Sequence, residues 1–372
     1  MEETSTKAKQ YSKIKTRLTI IQLLLTALFL VVVLFSGASS YLKELVAGGI
    51  DNFHLQVGLY LLFFWGIYYL VFLWLDFYGG FLLEHKFELS NQTVLGWLQK
   101  SVKKALLSLL IFLPAAEVLY FFLRRFPNTW WLPTTATWFL LTIVLGRITP
   151  ALIIPLFYRC RPLADGELKE RLLSLGKNCG VAIKKVFEIR LSKETKKANA
   201  AVAGIGKSRR ILLGDTLLNS FSDKEIEAVF AHELGHVHLL HSWKILGFGA
   251  VASLVSFHLT FLLFRGGTSL FGFEQIYDVG AFPLLALILM VVGLVLMPMQ
   301  LAYLRHLEKQ ADIFAVRHIE KPESFACAMT KLAEQNLIDT SPGRLQELLL
   351  HDHPPISRRL EYTRASGNQP SA

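Results

Sequence analysis

The chain has 372 residues, 52% of them hydrophobic and 18% charged, with a formal net charge of +10. Its mean hydropathy of +0.40 excludes a disordered protein and argues against an all-soluble enzyme; long uncharged runs point instead to a bilayer. In a membrane protein the positive excess reflects topology and does not imply nucleic acid, and three scattered cysteines (Cys160, Cys179 and Cys327) exclude a disulfide framework or a Cys-rich metal site.

Six apolar runs are candidates to span, at residues 18–42, 55–75, 105–123, 130–158, 245–264 and 279–304. A span needs about 20 residues at a rise of about 1.5 Å each. The first run is too long for the apolar core of a signal peptide, ~7–15 residues, and is read as a retained span. Glu117, Arg147 and His258 fall inside spans, where facing lipid would be costly. They either line a wet interior or meet neighbours, Glu117 with Arg147 being one pairing.

Lys and Arg set the orientation. Lys7, Lys9, Lys13, Lys15 and Arg17 precede the first span, and Lys86, Lys100, Lys103 and Lys104 follow the second. The opposite loops carry only Lys43, Arg124, Arg125 and Arg265. Positive-inside then puts both termini in the cytoplasm, with the protein in the cytoplasmic (inner) membrane. Residues 1–158 form a membrane domain of four spans. Residues 159–372 form a second domain that includes the last two.

In that second domain a helix is expected over 166–178 and a short strand over 186–191. A hairpin is expected from 198–204 and 210–213 about a Gly-containing turn. Ser222 with Glu225 three residues on marks a capped helix start.

This helix carries His232-Glu233-Leu234-Gly235-His236. Two histidines one turn apart reach one zinc ion, and Glu233 beside the first can take a proton from a water on that zinc. A catalytic zinc needs a third protein ligand and an open position. Glu308, just beyond the sixth span, is the candidate ligand. Asp312, one turn later, would accept from the far nitrogen of a zinc-bound histidine and fix its tautomer. Leu239 and Ser242 break the longer metzincin pattern, and His238 and His241 are read as bystanders.

With these residues the chain resembles the integral-membrane zinc metalloproteases of the type I CAAX prenyl endopeptidase family. The resemblance includes Asn199-Ala200, His353-Pro354 and Arg359, and Glu84-His85-Lys86-Phe87 after the second span. It implies one zinc per chain on His232, His236 and Glu308, with Glu233 as general base. It implies that Asn199 and Ala200 lie on an edge strand that pairs with the substrate backbone. His353 and Arg359 would line the site, polarising the scissile carbonyl or holding Glu308. The helices would enclose a water-filled chamber.

The expected fold is a multi-span α-helical membrane protein with a cytoplasmic zincin-like α+β metalloprotease domain. Its partners are peptide or protein substrates and membrane lipid. Two departures separate it from the eukaryotic members: six spans rather than seven, and Ala201, Val202 and Ala203 where aromatics often stand. Both favour a prokaryotic member with unprenylated substrates. Bacterial heat-shock membrane proteases share the catalytic residues but usually have two spans before the zinc helix. A quality-control protease and a silent scaffold are the alternatives, and the intact Glu233 speaks against the second.

Overall fold

The computed structural model describes residues 2–181, 183, 186–204 and 209–367. Of the turn expected at 205–209, residues 205–208 lie outside the described residues, as does the chain after Gly367.

The membrane part comprises α1 (Glu2–Phe35), α2 (Ala38–Ala47), α3 (Phe53–Phe77), α4 (Leu83–Lys86), α5 (Val94–Arg125), α6 (Trp131–Ile148) and α7 (Ile154–Phe157). Wider π-helical turns, Tyr78–Leu82 and Thr149–Ile153, carry α3 into α4 and α6 into α7. There follow β1 (Cys160–Pro162), α8 (Glu167–Asn178), β2 (Val186–Ile189), β3 (Ala200–Ala203), β4 (Arg210–Gly214), α9 (Asp215–Ser220) and α10 (Asp223–His238). The chain ends with α11 (His241–Leu270), α12 (Phe282–His318), α13 (Pro322–Asn336), α14 (Arg344–Leu350) and α15 (Ile356–Gly367). Among the described residues six helical stretches are long and apolar enough to cross a membrane, the last two including α11 and α12.

The first apolar run is not one helix. α1 stops at Phe35, and Gly37 takes a left-handed conformation, φ 75°, before α2 begins. Without a Cβ, glycine reaches that region at little cost, so the run breaks there. At its other end α1 starts at Glu2, making the lysine-rich arm helical.

Buried Tyr60, Tyr120, Trp130 and Phe264 pack the membrane helices together. A cavity of about 900 Å³ opens among α5, α6, α11 and α12. Glu117 pairs with His54, Nδ1 to Oε2 at 2.9 Å, and not with Arg147. His258 stands edge-on to Trp131, with ring centroids 4.5 Å apart.

The four strands form one sheet in the order β1-β2-β4-β3. β2 and β4 are parallel; the outer pairs are antiparallel, leaving β3 on an edge. The core on this sheet includes Leu172, Leu213, Leu217, Phe230 and Phe325, all buried.

Segment 194–198, which leads into β3, is tied to the membrane part. Lys196 N–H donates to the Leu89 carbonyl at 2.9 Å, and Ser90 bridges Thr195. The Glu84 carboxylate gathers Lys15 at 2.9 Å, Lys197 at 2.8 Å and the Tyr11 hydroxyl at 2.6 Å.

Candidate metal centre

α10 begins at a complete capping box. Ser222 N–H donates to Glu225 Oε2 at 2.8 Å, while the Ser222 side chain meets the backbone at Glu225. Such a cap stabilises a helix by about 1 kcal/mol and sets its first turn. Three turns on, Gly235 lies against α12, where an added Cβ would come within 3.1 Å of Ala311 Cα. The missing side chain lets α10 and α12 approach closely enough for their polar groups to meet.

α12 has 37 residues. Glu308 lies 26 residues past Phe282, about 39 Å along the axis, while the hydrocarbon core is about 30 Å thick. The helix is therefore long enough for Glu308 and Asp312 to stand beyond an apolar layer of that thickness.

His232, His236 and Glu308 converge, with ligand atoms all within 4.8 Å of one another. The two Nε2 atoms are 3.1 Å apart, and each lies 3.3 Å from a Glu308 oxygen. Tetrahedral zinc with bonds of about 2.0–2.1 Å sets its ligand atoms roughly 3.3 Å apart, so spacing and donor types both fit zinc. The far side of His232 also fits: its Nδ1 lies 2.9 Å from Asp312 Oδ1.

Burial would lower the pKa of His232, but the carboxylates of Asp312 and Glu308 outweigh it and hold the imidazole up to about 10. Burial and the charge on His232 drive His236 down to about 3. Burial pushes the Glu233 carboxyl above its ordinary range, with Glu308 adding to the rise and His232 opposing it. Glu233 Oε2 accepts the Val202 N–H at 2.8 Å, which sets its carboxyl group beside the edge strand.

His353 Nε2 lies 3.2 Å from Glu308 Oε2, and its Nδ1 lies 2.8 Å from Asp352. Arg305 on α12 holds this loop by donating to the His351 carbonyl at 2.7 Å. Arg359 is buried and its guanidinium clamps Asp312. That puts its charge behind His232, where it positions the carboxylate; the expected contact with Glu308 is made by His353. Asn199 is exposed at the head of β3, and with Ala200 it lines a cavity of about 380 Å³ shared with Glu233 and His353.

Sequence reasoning missed two residues. Leu240 is left-handed, φ 57°, and turns the chain so sharply after α10 that His241 comes back to His236. Their Nδ1 atoms are 3.0 Å apart, and His241 Nε2 lies 3.1 Å from Gln310 Oε1. His241 is therefore no bystander. The one trace of it in the sequence is a further histidine close behind the motif. Among the described residues His238 meets the Cys179 carbonyl, at 3.0 Å. The second missed residue is Asn336, whose side chain bonds Ala198.

Fold and site together define a multi-pass membrane zinc metallopeptidase. The profile of Peptidase family M48 matches residues 162–366, and that of the CAAX prenyl protease N-terminal region, described as five membrane helices, matches residues 1–159. The chain belongs to peptidase family M48. It is 29% identical over 367 residues to the uncharacterized metalloprotease YhfN of Bacillus subtilis, covering 98% of this chain and 86% of that one. It is 30% identical over 310 residues to CAAX prenyl protease 1 of Saccharomyces cerevisiae, covering 77% of this chain and 67% of the relative. The crystal structure of S. mikatae Ste24p superposes with a TM-score of 0.86 at 27% identity, covering 98% of this chain and 89% of that one.

Proposed function

We propose that this protease hydrolyses peptide bonds of protein or peptide substrates at the cytoplasmic face of the membrane, with one zinc per chain on His232, His236 and Glu308. When bound, zinc would supply a Lewis acid and lower the pKa of water. Glu233 takes a proton from the attacking water and returns it to the leaving amine. His353 stands on the open side of Glu308, where it can donate to the developing oxyanion. Asp312, held by Arg359, fixes the tautomer of His232. Residues 1–158 serve as the membrane domain and 159–372 as the peptidase.

The observation that carries this reading is the bond from Val202 N–H to Glu233. An extended peptide added to β3 would bring a carbonyl to the side of the base. Asn199 and Ala200 head that edge. Ala201, Val202 and Ala203, where aromatics often stand, support an unprenylated polypeptide as substrate, and the asymmetry of Lys and Arg between the loops supports the cytoplasmic side.

Glu233→Gln tests it. The variant should keep zinc and lose peptidase activity, because the base is not a ligand; full activity after the change rejects the mechanism. C-terminal and fragment proteomics, comparing cells with the active and Glu233→Gln proteins, would then identify substrates.

A further inference from the structure

Backbone groups along an edge strand alternate between its partner and the open side. Gly214 N–H donates to the Asn199 carbonyl at 2.8 Å, so Asn199, Ala201 and Ala203 face β4. Ala198, Ala200 and Val202 face outward. The Val202 N–H goes to Glu233 at 2.8 Å. Ala198 is bonded twice by one side chain: its N–H donates to Asn336 Oδ1 at 2.8 Å, and Asn336 Nδ2 donates to its carbonyl at 2.9 Å. The amide of Asn336 thereby mimics one residue of a neighbouring strand. Among the described residues the outward N–H and C=O of Ala200, between these two points, form no hydrogen bond.

We propose that Asn336 is a register stop, which limits how far an extended peptide can lie along β3 and so fixes where it is cut. The proposal rests on β3 being the substrate strand. Ala198 and Val202 are four residues apart, about 13 Å along a strand. A peptide with its reacting carbonyl beside Glu233 can pair with Ala200 and then meets the Asn336 amide where its next backbone partner would be. Only a few residues fit on that side of the cut bond. Beyond Asn336, Ile338, Asp339 and His351 wall the same cavity.

The stop is firmly held. Asn336 ends α13, and Leu337 follows in a left-handed conformation, φ 51°. Ile338 N–H closes back on the Ala333 carbonyl at 2.8 Å, completing a Schellman turn. A left-handed leucine is strained, and burial with Tyr11, Leu83 and Phe87 offsets the strain. Gln335 adds a bond to the Lys196 carbonyl at 2.7 Å. The membrane part, through Leu337, thus sets the position of an amide in the peptidase cleft.

The test uses the full-length zinc-loaded protein and peptides of one sequence lengthened stepwise at either end, with fragments sized by mass spectrometry. The wild type should release a terminal fragment of nearly constant length from one end. Asn336→Ala should spread that fragment by two residues or more, the repeat of the strand, while zinc content is retained. Asn336→Asp keeps an acceptor for Ala198 N–H and loses the donor, so it should spread the products less and serves if the alanine variant fails to fold. A slower enzyme that still cuts at the wild-type position overturns the stop, leaving Asn336 a support for β3. A wild type that holds zinc and cuts no peptide overturns the reading of the cleft, and the stop with it.

Discussion

Arg359 clamps the buried carboxylate of Asp312 with two hydrogen bonds, Nε to Oδ2 at 2.8 Å and the guanidinium Nη2 to Oδ1 at 2.6 Å. The same carboxylate lies 2.9 Å from His232 Nδ1, so a chain of contacts runs from the last helix to a candidate metal ligand. A planar guanidinium matches both carboxylate oxygens, which a lysine ammonium does not.

Arg359→Lys should therefore keep the fold and loosen the zinc. We expect roughly 10–100-fold weaker zinc affinity, the usual effect of disturbing a group behind a ligand. Competition with a chelator measures it. Arg359→Ala should also lower stability by about 3–5 kcal/mol, because it removes one partner of a buried pair. Unchanged affinity in both variants would detach Arg359 from the centre.

His241→Ala should weaken zinc binding within the same range while sparing Glu233. His241→Asn, which keeps a hydrogen-bonding group behind His236, should recover part of the loss. A His241→Ala protein with wild-type zinc affinity would restore the bystander reading.

Two prolines separate the faces of β3. The Ala200 N–H points outward, so Ala200→Pro should cut turnover with a small change in melting temperature. The Ala201 N–H points to β4, so Ala201→Pro breaks a ladder bond and should lower the melting temperature. The alternation seen from Gly214 and Val202 decides which is which. Asn199→Ala should weaken turnover and leave zinc content unchanged. If Ala200→Pro turns over substrate normally, the peptide does not pair along this edge.

Topology can be read by cysteine labelling in a background lacking the three native cysteines. Gly48 and Glu274 are exposed at one end of the helices and should label from outside the cell. Lys196 and Gly343, exposed on the peptidase side, should be protected until the membrane is permeabilised. External labelling of Lys196 would invert the orientation.

Asp215 offers a pH test away from the centre. It accepts from Leu191 N–H at 2.8 Å, Ser192 N–H at 2.9 Å and the Ser192 hydroxyl at 2.5 Å. Burial raises its pKa, but the bonds from Ser192, Leu191 and Thr216 outweigh burial and hold it below the ordinary range. A carboxylate depressed by folding stabilises above its unfolded pKa of about 3.9, and that contribution fades as pH falls toward the folded value. Asp215→Asn should cost about 1–3 kcal/mol at neutral pH. The gap in melting temperature should narrow below about pH 4; a constant gap would mean that lost geometry, not charge, is responsible.

What the sequence by itself determined is local. Apolar run length marks the spans, the Ser222–Glu225 spacing marks the start of α10, and 3.6-residue periodicity puts His232 with His236, and Glu308 with Asp312, on single helix faces. Each of these depends on residues a few positions apart, so short-range geometry suffices. The tertiary structure decided what lies across long separations. Gly235 against Ala311 joins the two helices that share the centre. Arg359 finds Asp312 from 47 residues away, and Asn336 finds Ala198 from 138. β4 enters between β2 and β3 and leaves β3 on the edge. No periodicity encodes those meetings, because they follow from how whole elements pack. The return of His241 to His236 is short in sequence yet equally hidden, since it hangs on a left-handed leucine that the letters alone do not announce.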